Sequence, residues 1–390
     1  MDYDVDVLIV GAGPAGASTA LHLARRSPSL AARTLVLDKA RHPRHKLCGG
    51  GLVRDVDTIL EGLGLDLREV PQVDAEMAHL HLEGRGAGVK LGEIAFHVVR
   101  RREFDAWLVN KVRDAGVRVA EEVEVLRIDR GPEGMVVETS RGRIRARAVV
   151  GADGSRGMCR RFVGGGAGAT ARLIEVTTPP PPRLDPPLPA EEAVFEFRSI
   201  GQGVQGYFWS FPMVIDGERM RNFGIYDSRV VADRPLAGSL RGFLAVELAR
   251  HGLRLSECKV EGHPIHLFSS ASRLAAPGIV LAGDSAGADP LLGEGISVAL
   301  GYGALAAAAL QEGFEAGDLG FAGYTRQVHK SRLGRSLRRR HLAARVIYGM
   351  HQPWIQRALW WRMEPLVRAF VRSLVFGWAR PPALAITGRR

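Results

Sequence analysis

The first forty residues leave this chain few choices of fold. Val5–Val10 is a near-continuous apolar run, as expected of a strand buried on both faces. The turn Gly11-Ala12-Gly13-Pro14-Ala15-Gly16 follows, then a helical pattern (Ala15, Leu21, Leu23) and a second strand, Thr34–Leu37, closed by Asp38. A parallel β-α-β unit needs helices over its sheet, so the chain is of the α/β class. In the G-x-G-x-x-G turn, Gly11 permits the tight bend, Gly13 lets a pyrophosphate approach the backbone, and Gly16 lets the helix pack on the strand. Asp38, 22 residues after Gly16, stands where a carboxylate accepts hydrogen bonds from adenosine ribose hydroxyls, and its charge disfavours a 2′-phosphate. The turn alone does not say which dinucleotide binds.

The 390 residues suit one large domain with an insertion, or two domains. The formal net charge of +11 is unevenly placed: residues 326–390 hold fifteen Arg and Lys against the single acid Glu364, which puts +14 there and −3 on the remainder. Four of the six Trp (Trp354, Trp360, Trp361, Trp378) lie in that segment. Arg interleaved with Trp suits an anionic membrane surface, or helices that pack on the body with solvated Arg outside. Nucleic acid is not expected, because the basic residues lie among Leu, Val and Trp and no nucleic-acid-binding motif is present. Cys48, Cys159 and Cys258 form no disulfide framework, which suits a reducing, cytoplasmic compartment. The acidic N-terminus is unlike a signal peptide, and the uncharged stretch Gly295–Gln311 is short for a membrane span and reads as a buried helix. His42, His45, His263 and His266 lack the carboxylate or Cys company of a metal site, so no metal is expected.

Two later segments narrow the ligand. Val149-Val150-Gly151-Ala152-Asp153-Gly154 is an apolar strand ending in Asp-Gly, and Val280-Leu281-Ala282-Gly283-Asp284 leads to Gly293-Glu294-Gly295-Ile296 at the start of a helix. A strand that presents an Asp and then feeds a helix N-terminus can hold ribitol hydroxyls and stabilise negative charge on a reduced flavin. In this order, the three segments resemble those of FAD-dependent oxidoreductases with the para-hydroxybenzoate-hydroxylase fold. Within that group the chain resembles the geranylgeranyl reductase family. Lys46-Leu47-Cys48-Gly49-Gly50-Gly51 is similar to its K-x-C-G-G loop, and Arg101-Arg102-Glu103-Phe104-Asp105 to its R-x-x-F-D helix start. Tyr207-Phe208-Trp209-Ser210-Phe211-Pro212 is similar to Y-x-W-x-F-P, and Pro290–Ile296 to P-L-T-G-E-G-I, with Leu292 in place of Thr. Gly157 stands where a Ser is common.

The resemblance implies FAD as cofactor, with Gly11, Gly13 and Gly16 at the pyrophosphate, Asp38 at the ribose, Arg101 at the phosphate–ribitol region and Asp284 at ribitol and pyrophosphate. Ala15, Lys39, Cys48, Gly49, Gly50, Val123, Asp153, Gly283, Gly293, Gly295 and Ile296 complete the expected cofactor set. Tyr207, Trp209 and Phe211 alternate along a strand and so share one face, either as core or as the aromatic wall of a substrate tunnel. Cys48 and Tyr207 are candidates for catalytic roles in that pocket. The implied fold is an FAD-binding Rossmann-like domain (residues 1–70, 100–175 and 265–325), an interleaved α+β substrate domain (71–99 and 176–264) and a helical C-terminal segment (326–390). The implied activity is reduction of C=C bonds in a prenyl chain, with NAD(P)H or a ferredoxin-like protein as electron donor. Two alternatives are a monooxygenase or halogenase acting on a hydrophobic or aromatic substrate, and a flavin-bearing, membrane-associated binding protein. Removal of 326–390 is expected to leave the flavin bound.

Overall fold

The computed structural model describes residues 4–90, 94–132, 134–165, 168–375 and 377–379. Val5–Val10 lies mid-sheet, hydrogen-bonded in parallel to Thr34–Leu37 on one side and to Gly142–Gly151 on the other. Arg118–Ala120 and Ile279–Leu281 extend the parallel core outward, and a hairpin of Val125–Arg130 and Met135–Thr139 joins Gly142–Gly151. All six residues of Val5–Val10 are buried; Asp6, its one polar member, is neutralised by Arg33 at 2.6 Å. The helix Pro14–Arg26 opens with proline, whose missing N–H has no helical partner to lose. It packs on the helix Ile296–Ala316, into which the uncharged stretch folds. Gly303 makes that contact close: a Cβ there would lie 2.5 Å from Ser18 Cβ, and Ser18 Oγ donates to the Leu300 carbonyl at 2.7 Å.

A seven-stranded sheet runs in the order 261–266, 170–178, 218–227, 206–215, 193–196, 78–82 and 85–89. It is antiparallel except between 193–196 and 78–82. The strands expected over 75–99 form, but they divide. Phe96–Val99 is the middle strand of a separate three-stranded sheet, paired with Gly51–Leu52 on one side and Gln72–Ala75 on the other. The expected junctions at 175/176 and 264/265 fall inside the strands Thr170–Thr178 and Glu261–His266, which pair with each other. The proline-rich run begins only where the first of these strands ends, so composition changes after the sheet has started. Alternation along Gly206–Ile215 splits its side chains as expected. Tyr207, Trp209 and Phe211 join Phe96 and Tyr226 in one core, while Phe208 packs with Phe223, Leu244 and Leu248 on the opposite face.

After Gly323 the chain is helical: Tyr324–Lys330, Arg332–Gly349, Pro353–Arg357, a π-helical turn Ala358–Arg362, and Glu364–Val375. Pro353 and Pro365 sit in first turns, where proline is tolerated, and residues 380–390 lie outside the described set. This segment is built into the body. Tyr348, Trp360, Val367 and Val371 belong to the same core as Trp209, and Trp360 stacks on Phe197 with centroids 4.4 Å apart. Trp361 Nε1 donates to the Leu82 carbonyl, and the Trp378 ring occupies the space a Cβ on Gly301 would need. Trp354 alone of the four is exposed, at 70%. Of the two readings of the segment, helices that pack on the body with solvated Arg outside describe its apolar face, which is core.

Trp360→Ala should lower the unfolding free energy by about 3–5 kcal/mol, while Trp354→Ala should stay within about 0.5 kcal/mol of the parent. Urea denaturation followed by circular dichroism separates the two; equal losses would contradict this division of the tail.

Candidate cofactor and substrate cavity

A cavity of about 720 Å³ opens at the carboxyl ends of the parallel strands and continues to the seven-stranded sheet. Gly11, Gly13, Ala15, Asp38, Lys39, Cys48, Gly49, Gly50, Arg101, Val123, Asp153, Gly283, Asp284, Gly293, Gly295 and Ile296 line it, as do Tyr207, Trp209 and Phe211. Gly16 is the one residue of the expected set outside the lining. A Cβ on Gly16 would fall 1.9 Å from the Gly11 carbonyl oxygen, so its bareness closes the turn on itself. Gly11 has φ +104°, and a Cβ there would meet the Ala152 carbonyl at 2.3 Å. Gly13 differs from both: its φ is −71°, and the nearest atom to a Cβ is Arg44 Nη2 at 3.6 Å. The folded chain does not need glycine at 13, and the space beside it is open to the cavity. Asp38 accepts from the Ala12 N–H through Oδ2 and from the Ala40 N–H through Oδ1, both at 2.9 Å, which fixes the carboxylate at the cavity edge.

The two later Asp-bearing turns hold each other. Ser155 Oγ donates to Asp284 Oδ2 at 3.1 Å, and Ser285 Oγ donates to Asp153 Oδ1 at 2.8 Å. Asp153 Oδ2 also accepts from the Cys159 N–H, and its carboxyl fills the space a Cβ on Gly157 would take, 2.0 Å from Cγ. That contact explains glycine where a Ser is common. The glycines after Cys48 also serve packing: a Cβ on Gly49 would crowd Trp209 and Phe211, and Gly50, at φ +77°, would strike the Val99 carbonyl at 2.0 Å. Trp209 finds its own room over Gly224, its partner across the strand pair, and donates from Nε1 to Asn222 Oδ1 at 2.6 Å.

Electrostatics sort the polar groups. Arg101 grips Asp105 through two bonds of 2.7 and 2.8 Å, and Arg44 reaches the same carboxylate at 3.0 Å. The Cys48 thiol is pushed up by burial, so it is neutral at neutral pH; its Sγ accepts from the Gly50 N–H at 3.4 Å. Tyr207 is likewise pushed up by burial and donates its hydroxyl to the Leu292 carbonyl. Sequence reasoning gave no site role to Lys46, His263, Glu175 or Val371. Lys46 Nζ meets His263 Nε2 at 2.9 Å on the cavity wall, where burial and then Lys46 drive His263 down to about 4. Glu175, 6% exposed, accepts the Cys48 N–H at 3.2 Å and is pushed up to about 7 by burial. Val371 brings the last described helix to the cavity. His263 and Glu175 stand on strands remote in sequence from Cys48, so no local pattern announces them; Val371 is one apolar residue of an amphipathic helix.

The bare Gly13, the strand-end carboxylates and the helix N-terminus at Gly295–Ile296 suit the pyrophosphate, ribose and ribitol of FAD. Among the described residues no cluster of His, Cys, Asp or Glu could hold a metal ion, and no helix is long and apolar enough to cross a membrane. The family described as FAD binding domain matches residues 4–204. Menaquinone reductase from Mycolicibacterium smegmatis is 28% identical, over 80% of this chain and 78% of its own length. Digeranylgeranylglycerophospholipid reductase from Methanosphaerula palustris is 26% identical, over 87% and 86%. A geranylgeranyl bacteriochlorophyll reductase-like protein from Thermoplasma acidophilum superposes with a TM-score of 0.71 at 23% identity, covering 88% of this chain and 86% of that one. p-Nitrophenol 4-monooxygenase from Pseudomonas putida gives 0.69 at 18% identity, covering 96% of each, and shares the fold. The resemblance carried by the four motifs is borne out.

Gly13→Ala should fold with unchanged melting temperature as apoprotein yet weaken FAD binding at least about tenfold, or 1.4 kcal/mol. Gly16→Ala should instead lower the melting temperature of the apoprotein; matched behaviour of the two would show that Gly13 is structural. Because the Glu175 carboxyl is raised from 4.5 to about 7 by folding, the folded state binds the extra proton in that window. Its contribution to stability is full below pH 4.5 and falls as the pH rises to 7. Glu175→Gln should remove part of that decline in denaturation midpoints measured across the window.

Proposed function

We propose a reaction from an established premise: this chain belongs to the FAD binding domain family and is an FAD-dependent oxidoreductase. The reaction is reduction of carbon–carbon double bonds in the prenyl chain of a lipid, quinone or related isoprenoid. The observation that carries it is the cavity's composition. One part bears the glycine turns, and another is walled by Leu80, Val89, Phe96, Phe195, Trp209 and Val371. A branched hydrocarbon chain gains about 25 cal/mol per Å² of apolar surface buried in such a slot and leaves no polar group unpaired. The relatives named for menaquinone and for a digeranylgeranyl phospholipid carry substrates of that chemistry.

Reduced FAD, when bound, supplies a hydride. The chain must hold the alkene, exclude water and deliver a proton to the second carbon, so that the product gains two hydrogens. Tyr207 has its hydroxyl proton committed to the Leu292 carbonyl, which leaves the neutral Cys48 thiol as the donor we favour. Electrons come from NAD(P)H or a ferredoxin-like protein. We also assign the tail an anionic membrane surface as partner, on the inner face of the membrane. Of the eight exposed large hydrophobics among the described residues, six are Leu342, Val346, Trp354, Met363, Leu366 and Phe370. The helices bearing them expose Arg338, Arg339, Arg345, Arg368 and Arg372.

Anaerobic incubation of dithionite-reduced enzyme with prenylated quinones and digeranylgeranyl lipids should add two hydrogens per reduced bond by mass spectrometry. Oxygen-dependent hydroxylation of an aromatic substrate without alkene reduction would favour the monooxygenase or halogenase alternative. Trp209→Ala should raise KM for long-chain substrates about tenfold. Leu366→Ser with Phe370→Ser should release the protein from phosphatidylglycerol vesicles in flotation while FAD content is retained; unchanged flotation would remove the membrane assignment.

A further inference from the structure

The loop Asp289–Gly295 borders the cofactor end of the cavity and feeds the helix Ile296–Ala316. Its shape is held from outside. Tyr226 Oη donates toward the carbonyls of Asp289 and Pro290 at 3.4 Å each, Tyr348 Oη donates to Leu291 at 2.5 Å, and Tyr207 Oη donates to Leu292. Four consecutive carbonyls are thus taken by three tyrosines, one of them from the C-terminal helix Arg332–Gly349. The Asp289 carboxylate turns back onto the Leu291 and Leu292 N–H groups at 2.8 and 3.2 Å. The Glu294 carboxylate takes the Ser297 N–H at 2.8 Å and the Ser297 hydroxyl at 2.6 Å, so it sits on the N-terminus of the helix.

That arrangement poses an electrostatic difficulty. A helix N-terminus favours a nearby anion, but one bearing a carboxylate of its own favours a second anion much less. Arg340 resolves it. Its guanidinium is fully buried, with Nη1 3.2 Å from Asp289 Oδ2 and 3.5 Å from Glu294 Oε2. Burial pushes the Glu294 carboxyl up, and Arg340 is the strongest influence holding it down. We propose that Arg340, from the C-terminal helix, is a positioning residue for the flavin: it offsets the charge of Asp289 and Glu294 and fixes the loop, so that the helix N-terminus can stabilise negative charge on reduced FAD. The tail is then part of the redox site, although no residue of Arg332–Gly349 lines the cavity.

The proposal rests on FAD binding and is independent of which substrate is reduced. The test is the midpoint potential of bound FAD, measured in substrate-free holoenzyme by dye-coupled reduction, together with the visible flavin spectrum. Arg340→Met should shift the potential negative and perturb the spectrum; Arg340→Lys, which keeps the charge, should restore most of the potential. Glu294→Gln removes the opposing charge with little change of shape and should shift the potential positive, which keeps the test decisive if Arg340→Met fails to fold. A parental potential in FAD-loaded Arg340→Met, or a zero or negative shift in Glu294→Gln, would overturn the proposal. Failure of alkene reduction with the potentials behaving as stated would sink only the substrate assignment.

Discussion

The reciprocal bonds from Ser155 to Asp284 and from Ser285 to Asp153 hold together the two turns on which the cavity's floor depends. They tie the ends of two adjacent parallel strands that lie 130 residues apart in the chain, as Val149 and Ile279 do. A parallel neighbour needs a crossover, and here the crossover supplies five of the seven strands of the second sheet. The insertion is sterically simple because its first and last strands, Thr170–Thr178 and Glu261–His266, pair with each other, Thr170 opposite His266. The chain leaves and rejoins the parallel sheet at nearly one point, so the long excursion closes as a small loop would. The cavity forms where that excursion faces the strand ends.

What could be read from the sequence was local. Glycine turns after apolar strands, a carboxylate at a strand end and alternation in Tyr207-Phe208-Trp209 each act over a few residues, and each took its expected place. What could not be read depends on partners remote in the chain. Gly157 is glycine because Asp153 fills its space, Trp209 faces the cavity because Gly224 gives it room, and Glu175 is raised because the fold buries it beside Cys48. Gly16 shows the limit within one motif: three glycines share a pattern, yet one closes the turn, one bends it and one leaves space.

The basic tail shows the same limit on a larger scale. Composition registered fifteen cations and four Trp, and both suggest a surface. The fold divides them by helix face. Arg340 and Trp360 turn inward to the loop and the sheet, while Arg338, Arg339 and Trp354 remain outside. Net charge describes a segment, whereas burial is decided residue by residue, and a fully buried guanidinium with two carboxylates counts the same in the sum as a solvated one.

Val371 carries a consequence for relatives of this chain. It contributes to the apolar wall from a helix downstream of every recognisable motif, on the inner side of a turn whose outer positions include Leu366 and Phe370. The capacity of the slot is therefore set partly by side chains that the cofactor turns neither contact nor constrain. Two proteins identical at every turn and every wall position of the sheet could still enclose slots of different volume, and the difference would lie in the tail.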